Sequence, residues 1–451
     1  MKEYLRKLPK EIEYLITLAK KVSKETDMPA YLVGGFPRDL ILGVKDWDLD
    51  ITVEGNGIKF AEALAKRLNS RLIRHERFGT ATLILGHRIK VDIATTRKET
   101  YPFSTSLPVV SPGSLKEDLL RRDFTINAMA VSLSEETGQE LIDIFGGKED
   151  LKAGKIRILH DLSFKDDPTR ILRAIRFQQR YNFKIEPKTL SLLKEAIDLG
   201  LLDKVNPHRT RDELILMLKE KDPSAQLRQL YALGGLSFVS DKLKPGKPTY
   251  DLLKSVNKEI FWFMQSFPLH EQFDAWLVYF AALLKPFTLA QVKKITAKFG
   301  LSKQEEKKIL NCRKINQRFI TRLKDKRIKP AQIFTLLRPL SYEAIILLRS
   351  ASQDALFKKH ITDFLEIYNC VRLCISGDDL CELGVLPGPG YQKILKKVLV
   401  ARLNGKVRNR QDELALIRKL IKRSPRIKFG GKVQNNGARI KCLDMNALKK
   451  Q

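Results

Sequence analysis

The chain has 451 residues, of which 43 % are hydrophobic, enough for the cores of two to four domains and too many for a largely disordered protein. Its 83 lysines and arginines against 52 acidic residues give a formal net charge of +31, which favours a polyanionic partner, nucleic acid before an anionic membrane surface. The sequence has no 18-residue apolar run, secretion-signal pattern, CxxC pair or HExxH motif, which argues against membrane spans, export, disulfide frameworks and histidine-bound zinc. We therefore expect a cytoplasmic protein without a membrane role.

The first part of the chain has a mixed pattern. Helical periodicity predicts an amphipathic helix over residues 1–25, and residues 31–131 alternate β-rich runs with helical stretches such as 58–68. This texture predicts an α/β or α+β domain built on one sheet. The runs that predict strands are residues 31–33, 49–53, 81–85, 89–94 and 124–131.

After residue 150 the strand pattern stops, and helical periodicity with charged faces takes over without a fixed-period repeat. The predicted helices cover residues 169–181, 187–199, 211–219, 250–265, 275–284, 304–323, 342–350 and 392–403. A proline-containing break lies near residues 239–249. From Ser424 onward the apolar periodicity is lost, which predicts a basic, disordered tail.

A glycine turn follows the first predicted strand, at residues 32–39 (LVGGFPRD). Gly34 and Gly35 let backbone N–H groups approach a phosphate, and Pro37 suits the start of a helix whose N-terminus favours an anion. Arg38 could add charge there. Because the run matches neither a Walker loop nor GxGxxG, a purely structural turn fits it better when the run is taken alone.

Paired carboxylates come next. Residues two apart share one face of a strand, so Asp48 and Asp50 are expected to project together beside the glycine turn. Such carboxylates repel each other unless a cation lies between them, and Mg²⁺ bound to carboxylates and substrate phosphates fits. Asp92, on a neighbouring predicted strand, could complete a two-metal site. The alternative is a solvated strand face.

Two arginines precede the last predicted strand. Arg121 and Arg122 could bind a triphosphate, since guanidinium groups fork onto phosphate, or they could position the strand. Asn127 could hydrogen-bond a sugar or a phosphate. An exposed charged turn with local salt bridges explains this run equally well.

A further charged motif opens the predicted helix over residues 169–181. Asp167 and Arg170 lie three residues apart, so they can meet in the first turn and present an acceptor and donors to a base edge. Arg173 and Arg176 continue a basic stripe that could face phosphates. A simple N-cap role for Asp167 is the strong alternative.

The order of these motifs, Gly-Gly-x-x-Arg-Asp, Asp-x-Asp, Arg-Arg-Asp and Asp-Asp-x-x-Arg, resembles the class II tRNA nucleotidyltransferases, which share a DNA polymerase beta-like head with bacterial poly(A) polymerases. The likeness is close over residues 30–220 and resumes at 375–390. It implies an α+β head with a mixed sheet, followed by an all-α neck, body and tail. The implied segments are an N-terminal helix (1–25), the head (26–150), a neck (151–222), a body (223–370), a tRNA-binding tail (371–423) and a basic C-terminus (424–451).

The resemblance also implies roles for residues. The implied catalytic and metal ligands are Asp48 and Asp50. The implied nucleotide-binding residues are Gly34, Gly35, Arg38, Asp39, Arg121, Arg122, Asp123, Asn127, Asp167, Arg170, Arg173 and Arg176, of which Asp167 and Arg170 read the Watson–Crick edges of CTP and ATP. The implied reaction is Mg²⁺-dependent building or repair of the tRNA 3′-terminal CCA. The helical part would hold the acceptor and T arms by shape and phosphate contacts.

Several departures from the family pattern are present. Pro37 replaces a usual valine, Asp166 replaces a glutamate, and His208 stands where a glutamate usually precedes Arg209. The loop over residues 97–112 lacks the Asp-x-Arg-Arg-Pro pattern of many full CCA-adding enzymes and is more similar to members that add only CC or only A. The number of nucleotides added therefore stays open, as does the oligomeric state.

Two other functions compete with this interpretation. A bacterial poly(A) polymerase shares the head, but residues 75–81 (HERFGTA) and 387–389 (PGP) are more similar to the tRNA group. A catalytically inactive RNA-binding protein is disfavoured by the intact pair Asp48 and Asp50.

Some residues are expected to be purely structural. Core positions in helices are predicted for Phe261, Trp262, Phe263, Met264, Trp276 and Phe280. Cys370 and Cys374 lie one helical turn apart without nearby histidines, which predicts buried thiols.

Overall fold

The computed structural model describes residues 2–5, 8–45, 48–86, 89–134, 140–267 and 273–422. The chain forms two compact units, the first comprising Met1–Tyr250 and Lys294–Gly300, the second Asp251–Lys293 and Leu301–Gln451. Over the described ranges no single helix is long and apolar enough to cross a membrane, although one sharply bent pair, Pro330–Leu337 and Tyr342–Ser350, passes that test jointly on length and composition. The finer division into six segments stays a prediction, and the basic C-terminus (424–451) lies outside the described residues.

The described strands are β1 (Ala30–Val33), β2 (Leu49–Val53), β3 (Arg71–His75), β4 (Thr80–Leu85), β5 (Ile89–Thr95), β6 (Arg97–Thr100), β7 (Val109–Pro112), β8 (Ala130–Ser132), β9 (Leu141–Ile142), β10 (Lys155–Ile156) and β11 (Lys184–Ile185). The helices of the first unit are α1 (Lys2–Leu5), α2 (Lys10–Thr26), α3 (Gly35–Leu42), α4 (Gly57–Leu68), α5 (Leu115–Leu120), α6 (Gly147–Lys152), α7 (Ser163–Asp166), α8 (Thr169–Tyr181), α9 (Pro187–Asp198), α10 (Leu201–Lys204), α11 (Pro207–Leu218) and α12 (Pro223–Ala232).

The remaining helices are α13 (Lys247–Ser266), α14 (Ala275–Leu283), α15 (Leu289–Lys298), α16 (Lys303–Cys312), α17 (Gln317–Leu323), α18 (Pro330–Leu337), α19 (Tyr342–Ser350), α20 (Ala355–Glu366), α21 (Gly377–Glu382), α22 (Pro389–Leu403) and α23 (Arg410–Lys422). Short 3-10 turns lie at Glu76–Phe78, Thr125–Asn127 and Tyr368–Cys370.

A mixed seven-stranded sheet, in the order β3-β4-β5-β2-β1-β8-β9, forms the head of the first unit. Neighbouring strands are antiparallel except β2 and β5, which run parallel. Leu49, Ile51 and Val53 of β2 belong to a buried apolar cluster that includes residues of α2 and α4. Because side chains alternate along a strand, Asp50 projects to the opposite face. The predicted α+β head is therefore confirmed.

Two of the elements predicted for the head differ in the structure, and β3, β6, β7 and β9 were not predicted. The predicted strand over residues 124–131 is wrong in its first half, which is a 3-10 turn at Thr125–Asn127 followed by β8. Asp123 stabilises this turn. Its carboxylate accepts hydrogen bonds from the Phe124 amide at 2.8 Å and from the Asn127 side chain at 2.9 Å. The predicted N-terminal helix is broken, since α2 begins directly after Pro9.

The region beyond residue 150 is helical as predicted, with two exceptions. β10 and β11 form a parallel two-stranded ladder that pairs Lys155 with Lys184, contrary to the prediction that strands end at residue 150. The predicted single helix over residues 304–323 consists of α16 and α17, because Asn316 caps a new helix by accepting a hydrogen bond from Phe319 N at 3.0 Å.

Several predicted core residues of the second unit are exposed instead. Phe263 is buried, but Phe261 and Met264 on the same helix α13 are 64 % and 58 % exposed, so assigning a core position to both was wrong. The predicted burial of Cys370 and Cys374 is wrong as well, because these residues lie in a 3-10 turn and a bend outside the helices.

Candidate active site

The glycine turn after β1 fits tightly against the carboxylate of Asp50. Gly34 has φ 72°, a left-handed conformation that glycine adopts without strain. A Cβ atom at this position would lie only 2.8 Å from Asp50 Oδ2, so both backbone and space require glycine. β1 and β2 pair in a register that sets Val33 opposite Asp50, which brings the N-terminus of α3 beside the carboxylate.

The predicted carboxylates lie on, or just before, the parallel strands β2 and β5. Asp48 is exposed just before β2, Asp50 is partly buried, and Asp92 is its register partner on β5. Burial raises the pKa of Asp50 to about 6; the charge of Arg122 opposes this, and the charges of Asp48 and Asp92 add to it. A cation bound between Asp48 and Asp50 would relieve this repulsion.

Asp92 is less available for a metal than the other two. Its carboxylate accepts a hydrogen bond from Thr82 Oγ1 at 2.6 Å and forms an ion pair with Lys90. Over the described ranges, no group of three or more His, Cys, Asp and Glu side chains is arranged to hold an ion. Asp48 and Asp50 fit an ion that takes its other ligands from substrate phosphates and water.

A buried carboxylate aims the two predicted arginines. Asp118 on α5 accepts hydrogen bonds from Arg121 Nη2 at 2.7 Å and from Arg122 Nη2 at 3.0 Å. Burial acts to raise the pKa of Asp118, but the charges of Arg122 and Arg121 outweigh it and lower the pKa. The carboxylate therefore stays ionised and holds both guanidinium groups in place.

Asp123, Asn127, Arg38 and Asp39 form one buried network. Asn127 donates to Asp123 and accepts from Arg38, and Arg38 donates to both carboxylate oxygens of Asp39 at 2.9 and 2.7 Å. Burial acts to raise the pKa of Asp123, but the nearby charge of Arg173 and the hydrogen bonds from Asn127 and Arg173 lower it to about 2. The network holds the first turn of α3, which carries Arg38 and Asp39, against the 3-10 turn that carries Asn127.

Asp167 and Arg170 face the same cavity but bond to different partners. The Asp167 carboxylate accepts from Thr169 N at 3.0 Å, which caps α8, and forms an ion pair with Arg209 at 2.9 Å. Arg170 donates to Ser163 Oγ and to the Arg121 carbonyl oxygen, both at 2.6 Å. Capping and site positioning are thus combined in one residue.

The basic stripe of α8 is largely neutralised. Arg173 pairs with Asp123 at 2.6 Å and with Glu213 at 3.0 Å, and Arg176 pairs with Glu213 at 3.2 Å. Arg176 is buried, and its guanidinium lies 4.8 Å from the Phe177 ring centre. These contacts hold α8 against α11, which carries Glu213.

A cavity of about 580 Å³ brings most of the predicted residues together. The predicted residues that line it are Gly34, Gly35, Arg38, Asp50, Arg121, Arg122, Asp123, Asn127, Asp167, Arg170 and Arg173. We call it the nucleotide cavity because its guanidinium groups and helix N-terminus suit a triphosphate. Asp39, Asp48, Asp92 and Arg176 are not among its lining residues.

Comparison with known proteins identifies the family. Residues 30–157 match the family model described as "Poly A polymerase head domain", and residues 182–242 match "Probable RNA and SrmB- binding site of polymerase A". The A-adding tRNA nucleotidyltransferase of Halalkalibacterium halodurans is 32 % identical over 87 % of this chain and 89 % of its own length. The chain belongs to the tRNA nucleotidyltransferase family.

Further relatives agree with this assignment. The A-adding tRNA nucleotidyltransferase of Geobacter sulfurreducens is 38 % identical over 91 % of this chain. The match covers only 47 % of that relative's own length. The solved structure of the Thermotoga maritima CCA-adding enzyme complexed with tRNA is 32 % identical, covers 93 % of this chain and 98 % of its own, and superposes with a TM-score of 0.72. The nucleotidyltransferase family generally uses a divalent metal ion.

Sequence reasoning did not assign several residues of the nucleotide cavity. Those are Arg97, Glu99, Tyr101, Arg209 and Glu213, with Asp118 behind the arginine pair. Asp118 precedes the arginines by three and four residues, a spacing that signals contact on a helix. Arg209 lies 42 positions after Asp167, so no local spacing could have paired them.

Proposed function

We propose that this family member transfers adenylate from ATP to the 3′-hydroxyl of tRNA without a nucleic-acid template, completing the CCA end. The observation that carries the proposal is the nucleotide cavity, which joins the reactive carboxylate Asp50, the anchored arginines Arg121 and Arg122, and the edge-reading pair Asp167 and Arg170. The choice of adenylate is supported by the two relatives of 38 % and 32 % identity, both of which are A-adding enzymes.

In the proposed reaction the tRNA 3′-oxygen forms a bond to the α-phosphorus of ATP. The bond from that phosphorus to the bridging α–β oxygen breaks, pyrophosphate leaves in line, and the hydroxyl proton passes to solvent. Asp48 and Asp50 would hold Mg²⁺, whose charge would favour ionisation of the attacking hydroxyl and offset the negative charge of the leaving pyrophosphate.

The chain's own residues position the triphosphate and meet its charge. Arg121 and Arg122 are already oriented by the ionised Asp118, so little reorganisation is needed when phosphate charge develops. The turn at Gly34 opens onto the N-terminus of α3, whose backbone N–H groups favour an anion.

Asp167 and Arg170 supply the base recognition. Adenine presents an amino donor and a ring-nitrogen acceptor on its Watson–Crick edge, which a carboxylate acceptor and a guanidinium donor complement. Asp167 is held by Thr169 and Arg209, and Arg170 by Ser163, so both present fixed groups to the base. Fixed protein groups would thereby take the place of a template strand. The formal charge of +31 supports an RNA partner held through its phosphates, at the acceptor and T arms.

The proposal is tested with purified protein, Mg²⁺ and three tRNA transcripts that end at the discriminator base, at C and at CC. Each is offered CTP, ATP or both, and the products are sized on a sequencing gel. We expect one A on the CC-ended transcript alone. Growth of all three to CCA would identify a full CCA-adding enzyme, addition of CC alone a CC-adding enzyme, and long A tracts a poly(A) polymerase.

A further inference from the structure

We propose that Tyr181, at the C-terminal end of α8, is a positioning residue that holds the Arg38 guanidinium at the wall of the nucleotide cavity. This inference rests on the proposed function and adds a residue that builds the triphosphate end of the site. Arg38 lines the nucleotide cavity, whereas Tyr181 is not among its lining residues. Tyr181 would therefore act on the substrate only through Arg38.

The Arg38 guanidinium keeps donors for a ligand although it is only 6 % exposed. Its hydrogen bonds to Asp39 and Asn127 use three of its five N–H groups. Within the described ranges, one N–H on each of Nη1 and Nη2 is left for a ligand. A Cβ atom at Gly35 would lie 3.0 Å from Nη2, so the guanidinium lies directly behind the glycine turn. Arg38 thus belongs to the end of the cavity where backbone N–H groups favour an anion.

Two aromatic rings of α8 cover this guanidinium. The Arg38 Cζ atom lies 5.0 Å from the centre of the Tyr181 ring and 5.4 Å from that of Phe177. The two rings are stacked at an interplanar angle of 15°, with their centres 6.0 Å apart, because residues four apart share one face of a helix. Ring faces attract a guanidinium and leave its N–H edge free. They therefore hold Arg38 without consuming its donors.

The Tyr181 hydroxyl contacts the carboxylate that anchors Arg38. It donates to Asp39 Oδ1 at 3.2 Å, the oxygen that also accepts from Arg38 Nε. Burial raises the pKa of the Tyr181 phenol, although the charge of Arg38 opposes this shift, so the hydroxyl keeps the proton that it donates. The ring and the hydroxyl thus act on the same ion pair from one side chain. Leucine at this position would fill space and make neither contact.

Helix α8 thereby reaches both ends of the nucleotide cavity. Its first turn carries Arg170, the proposed base reader, and its last turn carries Tyr181. At a rise of about 1.5 Å per residue the two positions are about 17 Å apart along the helix axis. Loss of the Tyr181 contacts should therefore weaken phosphate binding and spare base recognition. A general loss of α8 packing would weaken both.

Inorganic triphosphate is the direct probe, because it has no base. For Tyr181→Leu we expect its dissociation constant, measured by calorimetry on the full-length protein, to rise about tenfold through the loss of a cation–π contact and a hydrogen bond. Tyr181→Phe keeps the ring and should show a rise of about threefold. Tyr250→Leu is the matched control and should bind triphosphate like the wild type. Tyr250 is also buried, with the Arg228 guanidinium 4.7 Å from its ring centre, and does not line the cavity.

Kinetics test whether Tyr181 acts through Arg38. In Tyr181→Leu the KM for ATP should rise about tenfold. The KM for CC-ended tRNA and the preference for ATP over CTP should not change, because Asp167 and Arg170 keep their partners. In an Arg38→Met background, Tyr181→Leu should change the KM for ATP less than about twofold, since the group that it positions is gone. Additive effects of the two substitutions, a lost preference for ATP, or wild-type triphosphate affinity in Tyr181→Leu would overturn the inference.

Failure of the proposed function has a different signature. The wild type itself would then incorporate no nucleotide into any transcript, and the triphosphate affinities alone would decide the role of Tyr181. If Tyr181→Leu does not fold, Tyr181→Phe decides, because it removes a single oxygen atom. Wild-type affinity and KM in that variant would then count against the inference.

Discussion

Both units of the chain bury carboxylates beside basic side chains, but the two sets of ion pairs do different work. In the second unit, Glu259 pairs with Arg349 and Lys358. The Arg349 guanidinium also donates to the Lys358 carbonyl oxygen at 2.6 Å and to Thr362 Oγ1 at 2.9 Å, and it lies 3.8 Å from the Trp262 ring centre. Its contacts are made within the protein, so the cluster joins α13, α19 and α20.

In the first unit the acid orients its partners toward a cavity. Asp118 is as deeply buried as Glu259, yet the Arg121 and Arg122 side chains that it holds line the nucleotide cavity. The comparison shows that burial alone does not distinguish an ion pair that only stabilises the fold from one that positions a side chain at a site. What distinguishes them is whether the cation still faces space that a substrate can enter.

The largest effect on activity is expected from replacing the carboxylate of Asp50. Asp50→Asn should lower kcat by about 10³-fold or more, since it removes the proposed metal ligand. Because burial disfavours the ionised form of Asp50, the variant should keep or slightly raise the melting temperature. Single-turnover kinetics and calorimetry check both. Glu259→Gln, the control in the second unit, should lower stability and leave kcat within about twofold.

The second largest effect is expected at Asp118, the buried carboxylate of the first unit. Asp118→Asn should lower kcat by about 100-fold and raise the KM for ATP, because Arg121 and Arg122 lose the charge that aims them. Steady-state kinetics at matched folded fractions measure this. Kinetics equal to the wild type would mean that the ion pair of the first unit is as structural as that of Glu259.

Metal binding is expected to depend on pH, because burial raises the pKa of Asp50 to about 6. The raised pKa means that the proton stays bound below about pH 6 and competes with the metal, whereas above that pH the carboxylate is free to bind. The dissociation constant for Mn²⁺ should therefore rise about tenfold for each pH unit below 6. Titration by electron paramagnetic resonance checks this, and Asp50→Asn should flatten the profile.

The smallest predicted effect concerns Arg209. Arg209→Met should raise the KM for ATP about tenfold and leave the KM for tRNA unchanged. The reason is that Asp167 Oδ2 loses its ion-pair partner, so the carboxylate is held less firmly. Arg211→Met is the control on the same helix, since Arg211 bonds to the carbonyl oxygens of Phe299 and Gly300 and does not line the cavity. Equal effects of the two variants would argue for a general loss of α11 packing.

Sequence reasoning succeeded where a contact is local. The β-rich run at residues 49–53 coincides with β2, and the helix predicted at residues 169–181 coincides with α8, because alternation and helical periodicity depend on nearby residues. It failed at residues 124–131, where apolar residues suggested a strand. The hydrogen bonds from Phe124 and Asn127 to Asp123 fold that segment into a turn instead.

By itself the sequence determined the α+β head, the helical remainder, the alignment of Asp50 with the glycine turn, and the residue types that suit a nucleotide and a cation. Only the tertiary structure decided which charges face the cavity and which are paired away. Arg176 follows Arg173 at the same three-residue spacing at which Arg173 follows Arg170, yet Arg170 and Arg173 line the nucleotide cavity whereas Arg176 pairs with Glu213 and does not line it. The physical reason is that the energy of a charge depends on burial and on partners distant in the chain, which no local pattern encodes.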